Sequence, residues 1–162
     1  MPRSSSRRFL VVARQAGSAH AFTPLVDRLR RRGHRVDLVA LDHARDAWRS
    51  DGLEVRAIEG FEDFVDDRRA RTSPDVLLTG TSERAAEDAR FWGWAARRDL
   101  PCLAWVDSWT GYTTRFTAPG GPPFGLRPPH IGVIDERARD GMLAAGCPDR
   151  GLHVVGHPGL DE

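Results

Sequence analysis

The side chains best suited to acid–base or ligand-binding chemistry fall in three short runs, each beside an apolar stretch. In Gly17-Ser18-Ala19-His20 the glycine precedes a segment with Phe22, Leu25, Val26 and Leu29 on one helical face. A helix beginning near Ser18 or Ala19 presents unpaired backbone amides to an anion or a sugar oxygen. Imidazole is the side chain suited to acid–base work near neutral pH, and His20 is the candidate general base toward an acceptor hydroxyl. Thr79-Gly80-Thr81-Ser82 ends another apolar run with small, hydroxyl-bearing side chains at a helix start, which suits phosphate or sugar oxygens. Glu83 in the same turn favours the helix dipole and disfavours a bound phosphate. The third run is Val106-Asp107-Ser108-Trp109-Thr110-Gly111-Tyr112-Thr113-Thr114-Arg115-Phe116. Asp107 is its candidate carboxylate, for acid–base work or for orienting His20. Ser108 adds a hydroxyl, Trp109 and Tyr112 can stack on an acceptor, and Arg115 can meet an anion.

Each of these residues also has a structural role open to it. His20 can bond the backbone at a helix start, Thr79 to Ser82 can make a close turn, and Asp107 can cap the turn that follows it. Arg115 can pair with an acid while the aromatics pin a loop. The Gly17 region lacks both the three-glycine dinucleotide pattern and the lysine of a phosphate-binding loop. His130, Asp135 and Glu136 flank a further apolar run, with Asp135 reading as a helix cap. His153 and His157 are separated by Gly156 and followed by Pro158, which argues against a helical metal pair. No metal site and no tightly bound cofactor is expected.

Elements that could position these groups alternate between strand and helix. Residues 9–13, 36–41, 53–58, 75–79, 103–106, 131–134 and 153–155 read as strands, several of them apolar on both faces as parallel central strands are. Helices are expected over 19–32, 44–49, 82–98 and 136–145. Gly33 and Gly146 are their stops, Ser82 and Asp135 their caps, and Ala85, Ala89, Trp92 and Ala96 form one buried face. A charged segment runs through Arg71, and a proline- and glycine-rich loop covers 117–129. Right-handed crossovers then give a doubly wound, mainly parallel α/β sheet of Rossmann-like type. Residues 8–158 are the expected domain, between a flexible leader (1–7) and a short tail (159–162).

The 162 residues suffice for one well-buried core. Lysine and arginine total 24 against 23 acidic side chains, so no excess of charge calls for a nucleic-acid partner. Five tryptophans can fill core volume or line a sugar-sized pocket. Cys102 and Cys147 have neither the density of a disulfide scaffold nor a metal-ligand spacing, so reduced thiols and a cytoplasmic location are expected. No apolar run is long enough for a transmembrane segment.

The chain resembles the amino-terminal half of two-domain, GT-B-type glycosyltransferases and their sugar-nucleotide epimerase relatives. The resemblance is carried by Gly17-Ser18-Ala19-His20 with Pro24, Arg32-Gly33-His34-Arg35-Val36, Gly80-Thr81-Ser82, the run from Asp107 to Phe116, and Gly146-Cys147-Pro148 leading to Val154-Val155-Gly156-His157-Pro158. It implies an acceptor-binding domain with His20 as base. It also implies a nucleotide-sugar donor held largely by another domain, by a donor-binding protein partner or across a homodimer. The alternatives are a noncatalytic metabolite-binding or accessory protein, and a sugar-nucleotide epimerase or hydrolase.

Overall fold

The structure, a computed structural model, describes residues 6–66 and 73–160. Seven strands form one sheet in the order β3-β2-β1-β4-β5-β6-β7: β1 (Arg8–Ala13), β2 (Arg35–Ala40), β3 (Arg56–Ala57), β4 (Val76–Thr79), β5 (Cys102–Val106), β6 (His130–Val133) and β7 (Leu152–Val154). Every neighbouring pair is parallel. The chain winds outward from β1 to β3, returns to lay β4 against the other side of β1, and winds outward again. The fold is therefore a doubly wound, Rossmann-like α/β sheet whose strand order reverses between β1 and β4.

Helices α1 (Ala16–Arg31) and α2 (Ala44–Ser50) cover one face. Their core holds Val11, Phe22, Val26, Leu38, Trp48 and Trp105. The other face packs against α3 (Phe61–Asp66), α4 (Ala85–Ala96), α5 (Tyr112–Arg115) and α6 (Glu136–Ala144). There, Phe61, Phe64, Phe91 and Trp94 form a cluster of edge-on and tilted rings. Trp48, Trp92, Trp94 and Trp105 are all buried, so four of the five tryptophans fill core volume. The indole of Trp48 donates to the Ala19 carbonyl at 2.7 Å and ties α2 to α1.

Several boundaries differ from the expected ones, and the strand expected over 53–58 is only Arg56–Ala57. Helix α1 starts at Ala16, ahead of the expected start near Ser18 or Ala19, so Gly17 lies inside its first turn instead of preceding it. Helix α4 starts only at Ala85, and Ser82 does not cap it; Ala96 at its end is exposed, outside the buried face. The start of the expected charged segment is helical as α3, because Phe61 and Phe64 reach the core from one side of it. The rest of that segment, residues 67–72, lies outside the described residues, as do 1–5 and 161–162. Asp135 does cap α6, accepting from the Ala138 amide at 2.8 Å, and Gly33 and Gly146 end their helices at φ +82° and +95°.

Where β1 and β4 part, α1 and the exit of β4 come very close. A Cβ at Gly80 would lie 2.7 Å from both Cβ and Oγ of Ser18. Since a Cβ cannot rotate away, Gly80→Ala should cost about 1–3 kcal/mol, the range for forced overpacking. Ser18→Gly in the same chain should recover most of that loss in urea unfolding. An unchanged midpoint for Gly80→Ala alone would show that the two elements are not held at this spacing.

Candidate functional site

In doubly wound sheets ligands bind beyond the carboxyl ends of the strands, at the point where strand order reverses. Here that point brings together Gly17 and Ser18 after β1, Gly80 and Thr81 after β4, and Asp107 after β5. Ser18 donates from Oγ to Asp107 Oδ2 at 3.1 Å. A Cβ at Gly17 would stand 3.3 Å from the same oxygen, so a residue without one lets α1 approach the carboxylate. Arg115 on α5 lies with Nη1 3.1 Å from Asp107 Oδ1 and donates from Nη1 to Thr81 O at 3.0 Å and Thr81 Oγ1 at 2.9 Å. Thr81 Oγ1 in turn donates to the Trp105 carbonyl. Asp107 Oδ1 is held by Arg115 as an ion pair, and Arg115 Nε is a buried donor with no hydrogen-bond partner among the described residues.

Asp107 does not orient His20. The two residues Ser18 and His20 lie about 200° apart around α1, so Ser18 faces the node while His20 faces outward. The Nδ1 of His20 meets Asp51 Oδ2 at 3.0 Å, just past the end of α2, and Thr23 Oγ1 donates to the same oxygen at 2.7 Å. Burial alone would raise the Asp51 carboxyl; the hydrogen bonds from Thr23 and His20 outweigh it and bring Asp51 below its ordinary range. His20 therefore sits in an exposed His–Asp–Thr staple between two helices.

Other expected contacts are divided between core and rim. The Thr79 hydroxyl accepts from Trp92 Nε1 at 2.9 Å inside the core. Tyr112 is buried against α6, where a Cβ at Gly141 would strike its ring. Ser108 bonds within its own turn to Thr110. Trp109 is 43% exposed, with Nε1 donating to Asp135 Oδ2 at 2.9 Å, so its ring stands at the rim. Ser82 donates from both its amide and its hydroxyl to Asp88.

Arg14, immediately after β1, carries no signal in the sequence of the role its surroundings give it. Its side chain is 4% exposed and meets Asp42 at 2.8 Å, Glu87 at 2.9 Å and Asp88 at 3.4 Å. It thus ties β1 to the turn after β2 and to α4. Asp42 holds a left-handed backbone, φ +42°, in this arrangement. Burial raises the Asp88 carboxyl above its ordinary range despite the Ser82 and Arg14 contacts. An arginine directly after an apolar run reads as a solvated strand end, and nothing local announces partners 28 and 74 positions away.

Both cysteines are free and buried, and burial pushes the Cys102 thiol up to about 12. No group of three or more metal-binding side chains occurs among the described residues, and no helix there is long and apolar enough to cross a membrane. A cavity of about 680 Å³ lies away from the node, between Leu10, Leu38, Val55, Phe64 and Trp94. No family model and no curated protein matches the sequence. The class defined by fold and site is therefore a Rossmann-like α/β domain with a polar node at its strand reversal.

Removing the Arg14 charge leaves Asp88 buried without its cation. Arg14→Met should cost about 3–5 kcal/mol in urea unfolding at neutral pH, and Asp88→Asn in that background should return part of it. In Arg14→Met the loss should shrink as pH falls, because protonation removes the uncompensated charge. A pH-independent loss would point to packing instead.

Asp135 behaves in the opposite sense. The Ala138 amide and the Trp109 indole hold its carboxyl below the usual range. Its contribution is present above the unfolded pKa and lost as pH falls through the folded one. The stability gap between wild type and Asp135→Ala should therefore close in acid, and a gap that persists there would contradict this assignment.

Proposed function

We propose that this chain is a glycosyltransferase-related domain that binds a small acceptor at the carboxyl ends of β1, β4 and β5. It completes sugar transfer with a second domain or subunit carrying a nucleotide-sugar donor. The observation that supports this reading is the convergence of Ser18, Thr81, Asp107 and Arg115 at the strand reversal, with a spare buried N–H on Arg115. In the transfer, an acceptor oxygen attacks the anomeric carbon as the bond to the diphosphate breaks and its electron pair leaves with the diphosphate. The hydroxyl proton passes to a base, and direct attack inverts the anomer. Asp107 is the carboxylate at hand for that proton, with Arg115 and Ser18 holding it in place. A long acceptor that reaches from this node past α1 meets His20, oriented through Nδ1 by Asp51, as the second base. Closure against the donor-bearing part excludes water over Trp109.

A second reading, a noncatalytic metabolite-binding or accessory module, is favoured by one feature. The four side chains of the node already bond to one another, an arrangement that suits recognition without proton transfer.

The test uses the whole isotope-labelled chain titrated with monosaccharides, sugar phosphates and nucleotide sugars. Saturable shifts should centre on Ser18, Thr81 and Asp107, and Arg115→Met should weaken binding about ten- to hundredfold, as loss of a charged hydrogen bond does. With a co-isolated donor-bearing chain, Asp107→Asn should abolish transfer; if His20→Ala alone abolishes it, the base is His20. Saturable binding without turnover in that mixture selects the second reading, and shifts confined to other surfaces overturn both.

A further inference from the structure

The sheet is not covered equally on its two faces. Beneath α3 to α6, Leu77, Cys102, Ala104 and Ile131 are all buried. On the α1 side the helices are α1 and α2 alone; Phe22 of α1 reaches Trp105 on β5, and among the described residues no helix is centred over β6 and β7. Leu78 and Leu103 are only half-buried there and Val155 is 49% exposed. The segment after β7 crosses this side as a narrow strap: Trp105 Nε1 donates to the Gly156 carbonyl at 3.3 Å, and His157 stands edge-on to the Trp105 ring. Between the strap and α1 runs a channel of about 650 Å³ lined by Leu25, Arg28, Arg31, Arg32, Val155 and Pro158.

Its two ingredients are an apolar floor and a cationic rim. Residues 18, 21, 25, 28 and 32 recur at helical spacing along the side of α1 that faces the open half of the sheet. Ser18 and Ala21 are buried there, whereas Leu25 is half-buried and Arg28 and Arg32 are exposed. Among the described residues Arg28, Arg31 and Arg32 make no ion pair and no side-chain hydrogen bond. Arg8, Arg14, Arg45, Arg90, Arg115 and Arg139 meet carboxylates, and other arginines without an ion pair, such as Arg35 and Arg97, do not border this groove. Three uncompensated cations thus border one groove of a chain whose net charge is +1.

We propose that this channel docks an amphipathic α-helix of a partner protein, apolar on one face and carrying carboxylates along its flank. A helix is the element that covers the face of a parallel sheet. Packed beside α1 at an interaxial distance of roughly 8–10 Å, it lies over Leu78, Leu103 and Val155. About ten to thirteen helical residues match the length of the strands it lies along. Its carboxylates meet Arg28, Arg31 and Arg32. The inference is independent of the sugar-transfer reading.

The test titrates the full chain with two synthetic helical peptides of about thirteen residues, long enough to run the length of the strands. Both carry leucine on one face; one has glutamate on its flank and the other lysine. Saturable shifts are expected at Leu25, Leu103 and Val155, with the glutamate peptide bound about tenfold more tightly, as three exposed ion pairs would give. Arg28→Gln/Arg31→Gln/Arg32→Gln, which keeps good helix formers, should erase that preference, and Val155→Asp should weaken both peptides. Circular dichroism checks that each variant is folded. Equal binding of the two peptides, no saturation up to millimolar peptide, or shifts confined to other surfaces would overturn the proposal. A concentration-dependent dimer abolished by Val155→Asp would assign the face to a second copy instead and overturn it equally.

Discussion

A parallel sheet buries both of its faces, and that requirement organises this molecule. Its strands are apolar on two sides because helices must lie above and below them. Where α1 and α2 meet the sheet, small residues such as Ala13, Ala19 and Ala40 let the layers approach, and Trp48 fills what remains. Beneath the sheet, phenylalanines and tryptophans from α3 and α4 do the same with rings. The reversal between β1 and β4 follows from sending helices to opposite faces, and the loops that part there leave the crevice in which Ser18, Thr81, Asp107 and Arg115 meet.

Polar groups gather at that reversal because the strand ends supply backbone and side-chain partners that the core cannot. Arg14 and the Asp107–Arg115 pair are both largely buried, yet they serve different ends. Arg14 is surrounded by Asp42, Glu87 and Asp88 and joins three elements, so it fixes the loops in place. The Asp107–Arg115 pair is shared with Ser18 and Thr81, and only Arg115 Nε lacks a partner among the described residues. A cation ringed by three carboxylates and an ion pair with a spare N–H sit on neighbouring loops, which separates the scaffold of the crevice from the surface it offers.

The strands and long helices were legible because their signals are local. Apolar runs marked the seven strands, and Gly33, Asp135 and Gly146 marked helix ends by chemistry confined to a few residues. Starts at Ala16 and Ala85 were less legible: a glycine inside the first turn of α1 runs against its helix propensity, and Asp88 reaches back to the Ser82 amide from within α4. The three candidate runs do converge in part, since Ser18, Thr81, Asp107 and Arg115 meet at one node. His20 goes elsewhere because its outward orientation and its partner, Asp51, depend on how α2 packs on α1. Arg14 illustrates the same limit: the cation is visible in the sequence, but its carboxylates become neighbours only through sheet order.

The order in which the strands are made has a bearing on life before the fold is complete. During synthesis β1, β2 and β3 emerge first, yet β1 is a central strand whose second neighbour, β4, comes some 67 positions later, at the pairing of Val12 with Thr79. Until then the Phe9-Leu10-Val11-Val12 edge, among the most apolar in the chain, has no partner on that side. The Ser18–Asp107 contact waits longer still, across 89 positions. A nascent amino-terminal half therefore carries an open, sticky strand edge that the finished domain replaces with the short outer strands β3 and β7, and ribosome-bound chains of that length are the form most exposed to aggregation and to capture by chaperones.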